Sequence, residues 1–475
     1  MADGPFIYRF GKDLRLDDHA GLAAAAAHGA VLPLLVIDPA LNDRLQASPR
    51  RAAFFCSAVR GLDAELRERG SRLVVRRAPA EEAVLRVARE AAAAGAAWSA
   101  SYDEAGMRRD SSLRSAVEEA GLRALVVHDA PAVAPEESAE ARSAEGPGYR
   151  AFAPYFEVWR ELPIASHEYP LLLRFTSGDL DGEALPQPRE FGAGEAQAAG
   201  GSAVARRLFQ TFVRERAPQY AIDANVPSED GTSGLSAHLS FGTISARTIA
   251  LAVRERLADP FAISEHRLSL RLFLRALAHR DFFLQLSWFN PQTQDSSLQT
   301  KMRGFKWEES HPALEAWCTG TTGYPFVDAG IRQLHATGWM HPHVRAVAAS
   351  LLCFDLGVDW RVGREQWDRF LIEDDPALAT GNWQWIAGVG ADMAQYPRIY
   401  NPERQLRRYD PAGLYVRRWI DELRSVPFEA WQPRTRSSAQ LRLALFAQGE
   451  YPPPAVDHAV AARAFLRRYR EFVSP

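Results

Sequence analysis

Cysteine is scarce in this sequence, which has only Cys56, Cys318 and Cys353 among its 475 residues. The three lie far apart and none belongs to a C-x-x-C pair. This spacing argues against a disulfide framework and against a four-cysteine iron–sulfur or zinc site. We therefore expect no metal centre, and a reducing compartment, the cytoplasm, suits the protein best.

A strong net charge is also lacking. Lys and Arg total 56, Asp and Glu total 59, and the formal net charge is −3. A chain so nearly balanced has no global field that attracts nucleic acid, although it can carry a local basic face. The overall charge therefore identifies no partner.

Long apolar runs are missing as well. No window offers 18 uncharged apolar residues, and the N-terminal PFIYRF is not preceded by a basic stretch with an apolar core. We expect a protein that is neither secreted nor inserted in a membrane. Its length instead predicts two or more domains, each with its own buried interior.

Short apolar runs alternate with Ala-rich helical stretches up to about residue 130. The runs are FIYRF, VLPLLVID, RLVVRR, AAWSAS and ALVVHD. This alternation is typical of a parallel sheet covered by helices. The turn after the first run, GKDLRLDDHAGL, lacks G-x-G-x-x-G, and the chain has no P-loop. The pattern predicts an α/β, Rossmann-like N-terminal domain over residues 1–130, without the usual phosphate-binding loop.

The composition changes twice beyond that domain. Pro, Gly, Ser and Glu dominate residues 131–201, which predicts a connector. From residue 202 onward, apolar residues recur with a helical period of 3.6, as in Leu208, Phe209 and Phe212. We expect an all-α domain over residues 202–475.

A polar segment, DGTSGLSAHLSFGTISAR at residues 230–247, lies where a helix is expected to begin. The hydroxyls of Thr232, Ser233 and Ser236 suit a phosphate there, because a helix N-terminus presents unpaired amides and positive dipole. Ser and Thr at a helix start are, however, more often ordinary N-caps. The residues alone leave both interpretations open.

Several segments follow one another compactly between residues 322 and 402. They are TGYPFVDAGIRQL, GWMHPHVRAVAASLL, VDWRVG, GNWQWIAGVGAD and YPRIYNP. Together with residues 230–247, RFGKDLRLDDHAGL and YRAFAPYFEVWRE, they closely resemble the photolyase and cryptochrome family over nearly the whole chain. The motifs are typical of class I members, with DASH-like features in GNWQWIAGVGAD. The resemblance implies a helical FAD-binding domain that holds FAD in a U shape.

The resemblance also implies which residues bind FAD. On the phosphate side these are Tyr220, Thr232, Ser233, Gly234, Leu235, Ser236 and Arg280, with Gly234 where many members have Arg. On the isoalloxazine side these are Arg345, Glu373, Asp374, Asp375 and Ala379. We expect Arg345 to pair with Glu373, and a guanidinium there would favour an anionic reduced ring. Ala379 stands where other members place Asn or Asp facing flavin N5.

Three tryptophans occupy the positions of the family's electron-transfer chain. They are Trp383 in GNW, Trp360 in VDW and Trp307 in GFKW. The chain has twelve Trp, and buried Trp is ordinarily core, so the residues alone favour packing. The resemblance favours electron transfer from the surface to photoexcited flavin.

The cavity in which repair enzymes hold a pyrimidine dimer is altered. Members that split cyclobutane dimers usually have Glu, Trp, Asn and Met where this chain has Ala276, His279, Pro342 and Ala346. Trp385 remains of the aromatic platform. The resemblance therefore predicts a cryptochrome-like, blue-light-responsive flavoprotein. The alternative is a divergent DNA photolyase that uses His279 as a proton donor, although a lone helical His is more often simply packed.

The partners depend on which alternative holds. A repair enzyme would bind DNA, whereas a receptor would bind a signalling partner that the sequence does not identify. A second, antenna chromophore stays open, because the acidic residue that contacts a folate antenna in some members has no clear equivalent in YDEAGMRRD. A light-independent binding protein is disfavoured by the complete tryptophan series.

Overall fold

The computed structural model describes residues 4–141, 148–167, 173–194, 199–261, 263–392, 397–431 and 451–473. Backbone contacts divide the chain into two compact units. The first comprises Met1–Pro218, Ser233–Gln294 and Ile372–Leu378, and the second comprises Gln219–Thr232, Asp295–Leu371 and Ala379–Pro475. The domain limits at residues 130 and 201 stay predictions. Parts of the predicted connector (142–147, 168–172 and 195–198) and Tyr396 of YPRIYNP lie outside the described residues.

The first unit contains a five-stranded parallel sheet. Its strands are β1 Phe6–Phe10, β2 Val31–Val36, β3 Val74–Arg76, β4 Gly95–Ser99 and β5 Arg123–Val127, in the order β3-β2-β1-β4-β5. Each of the five apolar runs forms the predicted strand. Alternate residues of β1 enter two different cores: Tyr8 packs on one face and Ile7 on the other. The sheet is thus buried on both faces, as its apolar runs predict.

Helices make up most of the remaining described residues. In chain order they are α1 Ala20–Ala26, α2 Pro39–Ala47, α3 Pro49–Glu68, α4 Ala80–Glu90, α5 Glu104–Glu119, α6 Pro135–Glu140, α7 Phe152–Trp159, α8 Ser202–Thr211, α9 Tyr220–Asp223, α10 Ser236–Ser240, α11 Ala246–Ala258, α12 Ser264–Phe289, α13 Leu314–Thr319, α14 Pro325–Thr337, α15 Pro342–Ser350, α16 Trp360–Asp368, α17 Pro376–Ala387, α18 Pro402–Tyr409, α19 Leu414–Trp419, α20 Phe428–Trp431 and α21 His458–Val473. Among these described helices, none is long and apolar enough to cross a membrane. The expected α/β region followed by a helical region is confirmed.

The turn between α14 and α15 shows why these helices begin and end where they do. Gly338 follows α14 with φ +73, a left-handed conformation that stops a helix at low cost only when the residue is glycine. His341 then caps α15 by accepting the amide of His343, and Pro342 occupies the first helical position. Pro342, Arg345 and Ala346 are thereby fixed on the first turns of α15.

The core of the second unit is rich in tryptophan. Its buried members include Trp317, Trp360, Trp367, Trp383 and Trp431, which pack with the apolar faces of α14 and α15. Large flat side chains of this kind bury much area with few rotatable bonds. The candidate electron-transfer residues are therefore part of the core that stabilises this unit.

A buried carboxylate joins the start of α14 to Tyr451. Asp328 accepts hydrogen bonds from the amide of Thr322 at 2.8 Å, from its hydroxyl at 2.7 Å, from the amide of Gly323 at 3.0 Å and from the Tyr451 hydroxyl. Burial nevertheless raises the pKa of Asp328 to about 6. The folded state therefore holds this proton more tightly than the unfolded chain does.

The pH dependence of stability should reveal this group. The folded pKa of Asp328, about 6, exceeds its unfolded value of about 3.9. The protonated carboxyl therefore contributes its full stabilisation of the fold below about pH 4, and this contribution is lost as pH rises through 6. Two pKa units correspond to about 3 kcal/mol. In chemical denaturation, the stability difference between wild type and Asp328→Asn should shrink by about that amount from pH 4 to pH 7. Asp421→Asn, at an exposed site, is the control. Parallel pH profiles for wild type and Asp328→Asn would contradict the prediction.

Candidate functional site

In the first unit, the residues predicted to contact FAD phosphates lie at the start of α10. The Ser233 hydroxyl accepts the amide of Leu235 at 3.3 Å, and α10 begins at Ser236. Gly234 has φ +67, so an Arg at this position, as in many family members, would adopt a left-handed conformation at a cost of roughly 1–2 kcal/mol. The backbone here is matched to glycine. The expected helix start is confirmed, whereas the phosphate contacts stay predictions.

Two further predicted segments form hydrogen bonds with residues of α10. Arg280, on α12, donates to the carbonyl of Leu239 at 3.3 Å and to that of Ala130 at 2.8 Å. The amide of Asp374 donates to the Ser240 hydroxyl at 2.8 Å. The structure thus gathers around one short helix the residues Ser233, Gly234, Leu235, Ser236, Arg280 and Asp374.

The adjacent carboxyl groups of Asp374 and Asp375 have opposite electrostatic environments. Asp374 is almost fully buried and forms ion pairs with Lys12 at 3.1 Å and with Arg44. Although burial opposes ionisation, these cations hold the pKa of Asp374 well below its ordinary value. Burial raises the pKa of Asp375, and nearby Arg280 offsets only part of that effect. Asp374 therefore anchors the segment, and any contact of either residue with FAD stays a prediction.

The α12 residues predicted to line the substrate cavity are Ala276 and His279. Ala276 is exposed. The His279 ring stacks between Phe152, with ring centroids 4.1 Å apart, and Phe283, with centroids 5.1 Å apart. An imidazole held between two phenyl rings is positioned by packing. This environment favours the packed interpretation of His279 over the catalytic one.

In the second unit, Arg345 and its neighbours on α15 were predicted to face the flavin ring and the cavity. The Arg345 side chain donates to the carbonyl of Met340 at 2.8 Å. Arg345 and Ala346 are half-buried, and Pro342 is exposed. The pairing of Arg345 with Glu373 would join residues of different units and stays a prediction.

Tyr220 and Thr232 lie near the two ends of one segment of the second unit. Gly231 packs so closely on Asp223 that an added Cβ would lie 2.4 Å from the Asp223 carbonyl carbon. A tyrosine hydroxyl is protonated at neutral pH and can donate to a phosphate oxygen. Burial raises the pKa of Tyr220 further and so keeps this donor in place. These properties fit the predicted phosphate contact.

Ala379, Trp383 and Trp385 lie on α17, with Trp383 one turn beyond Ala379. Trp383 is only 4% exposed. It packs so tightly on Gly363 that an added Cβ there would lie 2.3 Å from the indole. Trp385 is half-buried, and the Arg398 guanidinium lies 5.8 Å from its ring centroid. The two tryptophans of α17 therefore have different surroundings, one apolar and one cationic.

The other two predicted electron-transfer residues lie elsewhere in the same core. Trp360, at the start of α16, is fully buried, and Trp307 is half-buried with its ring centroid 5.9 Å from that of Phe465. Trp383 instead has its nearest indole contacts with Trp367 and Trp317, at centroid distances of 4.5 Å and 6.4 Å. The sequence did not identify Trp367 or Trp317 as candidates. For Trp367 the available signal was its seven-residue spacing from Trp360, which places the two on one helix face.

A buried ion network at the carboxyl ends of β1, β4 and β5 was also missed. Asp13 accepts the hydroxyls of Tyr8 and Ser99, each at 2.5 Å. Asp129 pairs with Arg15 at 2.7 Å and Arg247 at 2.8 Å. Together with His19, the two carboxylates form a cluster of the size that binds metal ions. The two arginines already supply the compensating positive charge.

Known proteins match the chain along nearly its whole length. The family described as DNA photolyase matches residues 6–171, and the FAD binding domain of DNA photolyase matches residues 273–471. The deoxyribodipyrimidine photo-lyase of Halobacterium salinarum is 34% identical over 469 residues, which cover 94% of this chain and 95% of the relative.

Solved structures are similar in fold over the same extent. The archaeal photolyase from Sulfolobus tokodaii, which has two FAD molecules, superposes with a TM-score of 0.82 and 27% identity, covering 98% of this chain and 100% of that chain. The Synechocystis cryptochrome superposes with a TM-score of 0.84 and 25% identity, covering 99% and 100%. The similarity thus extends to both photolyases and a cryptochrome.

Proposed function

Because the chain belongs to the photolyase and cryptochrome family and contains its FAD-binding domain, we propose that it is a blue-light-responsive flavoprotein reduced through buried tryptophans. The observation that supports this most directly is the burial of Trp383 in contact with other indoles. A lone buried tryptophan would serve only as core, whereas adjoining indoles offer a path for an electron.

The residues of both predicted FAD-binding segments fit FAD. Hydroxyl groups and a glycine at the start of α10 suit phosphate oxygens, and a protonated Tyr220 adds a donor. When bound, FAD supplies the absorption of blue light and accepts the electron. The chain's own contribution is to bind the phosphates, to place a positive charge at Arg345, and to exclude water from Trp383.

The cavity residues support a cryptochrome-like role. Ala276, Pro342 and Ala346 carry no side-chain group that can hydrogen-bond a pyrimidine carbonyl. The remaining polar residue, His279, lies between two phenyl rings. A cavity formed by these residues would lack the charge-stabilising contacts on which dimer splitting depends.

A second candidate, light-driven DNA repair, is favoured by the names of the relatives and by one surface of the first unit. The Arg275 guanidinium lies 4.7 Å from the ring centroid of Phe152 and 5.3 Å from that of Phe156, next to exposed Ala276 on α12. Basic groups interleaved with aromatic rings suit single-stranded or flipped bases. DNA is the partner in this case, whereas the first candidate requires a signalling partner.

The purified protein should be yellow, and blue light in the presence of a thiol reductant should bleach its oxidised-flavin band. Absorption spectra recorded before and after illumination measure this directly. The control is the same sample with thiol kept in the dark, which should keep its spectrum. Colourless protein that takes up no added FAD would contradict the proposal.

A further inference from the structure

We propose that Trp367 is the principal electron donor to oxidised Trp383, and that the resulting positive charge passes on to Trp317 in preference to Trp360. The inference rests on the proposed photoreduction through Trp383. It concerns the route by which Trp383 regains its electron. Three observations in the second unit support it: ring proximity, the charges over each indole, and the partners of the indole N–H groups.

Proximity favours Trp367. Its ring centroid lies 4.5 Å from that of Trp383 with the planes 52° apart, which puts the ring edges in contact. Trp317 stacks on Trp367 at 5.8 Å and 12°, and it lies 6.4 Å from Trp383. Electronic coupling between rings decreases steeply with distance, so three mutually adjoining indoles exchange an electron readily. All three are buried, with exposures of 6% or less.

Charge disfavours Trp360. The guanidinium carbons of Arg361 and Arg364 lie 4.5 Å and 5.2 Å from its ring centroid. A cation over an aromatic face stabilises the neutral ring but repels the positive charge left when that ring loses an electron. Asp359 and Asp295 pair with these arginines at 2.9 Å and 3.4 Å and offset part of the repulsion.

No such cation disfavours Trp367. Within the described residues, no Lys or Arg lies over the ring of Trp367 or that of Trp317. An oxidised indole at either position therefore avoids the repulsion present at Trp360.

The indole N–H groups decide where the positive charge settles. Those of Trp360 and Trp367 are buried and meet no acceptor in the described part of the chain, so no described protein group is in place to take the indole proton on oxidation. The Trp317 N–H donates to the carbonyl of Ala348 at 2.9 Å. This bond strengthens when the donor is charged. Of the three indoles, Trp317 therefore holds the positive charge most favourably.

The electron count is simple. Trp383 would give one electron to the excited flavin and become a radical cation. Trp367 returns one electron to Trp383 and becomes the radical cation in turn, and Trp317 then returns one to Trp367. No proton moves in either step. An external thiol finally supplies one electron to the oxidised cluster, so the net reaction is one-electron oxidation of the thiol and one-electron reduction of FAD.

The test compares Trp367→Phe, Trp360→Phe and Trp317→Phe, with Trp431→Phe as the control. Trp431 is equally buried and belongs to another part of the same unit. We expect Trp367→Phe to lower the photoreduction yield about tenfold and Trp360→Phe to lower it much less. Trp317→Phe should leave the first transfer intact but shorten the lifetime of the tryptophan radical in transient absorption. Trp431→Phe should match the wild type.

A second measurement does not depend on bound flavin. Near-ultraviolet circular dichroism of the flavin-free protein should lose the coupled signal of the stacked indoles in Trp367→Phe and in Trp317→Phe, but keep it in Trp360→Phe. A wild-type yield in Trp367→Phe, or a larger loss in Trp360→Phe than in Trp367→Phe, would overturn the inference. Full photoreduction in Trp383→Phe would instead overturn the proposed function, so the two failures are distinguishable.

Discussion

Thymine-dimer DNA should be repaired about a thousandfold more slowly by the illuminated, reduced protein than by a repair-competent photolyase. The reason is the joint presence of Ala276, His279, Pro342 and Ala346 in the predicted cavity. Repair requires a flipped dimer to be positioned and its developing charge to be stabilised. Two lost contacts of about 2 kcal/mol each, if additive, account for this factor.

The measurement uses a dimer-containing oligonucleotide under blue light, followed by chromatography of the products. A repair-competent photolyase at equal flavin concentration is the positive control, and a dark sample is the negative one. Repair within a few-fold of the positive control would show that the protein is a photolyase with an unfamiliar active site.

A gain-of-function variant sharpens this assay. Ala276 is exposed on α12, so Ala276→Glu introduces a carboxyl group without displacing core side chains. If the missing carboxyl limits repair, Ala276→Glu should raise the repair rate about tenfold. Ala276→Gln, whose side chain has the same shape as Glu but no charge, should raise it less. An equal effect of the two variants would show that charge at this position is irrelevant.

Trp383→Phe should abolish most photoreduction, by about a factor of ten or more, while FAD stays bound. Phenylalanine keeps an aromatic ring in the core, but it is far harder to oxidise than indole. The smaller ring also leaves space beside Gly363, where the indole now packs tightly. We therefore expect some loss of stability besides the loss of electron transfer.

Bleaching of the flavin band under blue light with thiol measures the effect, and the flavin-to-protein ratio verifies binding. Trp431→Phe again serves as the matched control, because it makes the same substitution at a buried site far along the chain. Unchanged bleaching kinetics in Trp383→Phe would show that the tryptophan series is only core.

The sheet was predictable from sequence because each strand is a short apolar run between helical stretches. Periodicity likewise placed Leu208 and Phe209 in a helix. The role of Asp374 was not predictable, because its partners Lys12 and Arg44 lie more than 300 residues earlier in the chain. Long-range ion pairs leave no local pattern.

Only those residues of the candidate site that lie within recognised sequence motifs could be predicted. The motifs named Trp383 and Trp360, but no motif contains Trp367, and its contact with Trp383 appears only when α16 and α17 pack together. His279 was likewise visible as a residue, and Phe283 follows it one turn later on α12, but the Phe152 ring that stacks on its other side comes from α7. Residue identities could be predicted; the neighbours of each residue required the fold.

The uneven distribution of tryptophan makes the two units optically distinct. Nine of the twelve indoles belong to the second unit, and several adjoin one another closely enough to exchange excitation energy. Intrinsic fluorescence during denaturation will therefore follow mainly the second unit, which contains Asp328. Far-ultraviolet circular dichroism, which registers every helix and strand, will follow both units. Transitions that differ between the two probes would give the unfolding of each unit separately, without labels or truncation.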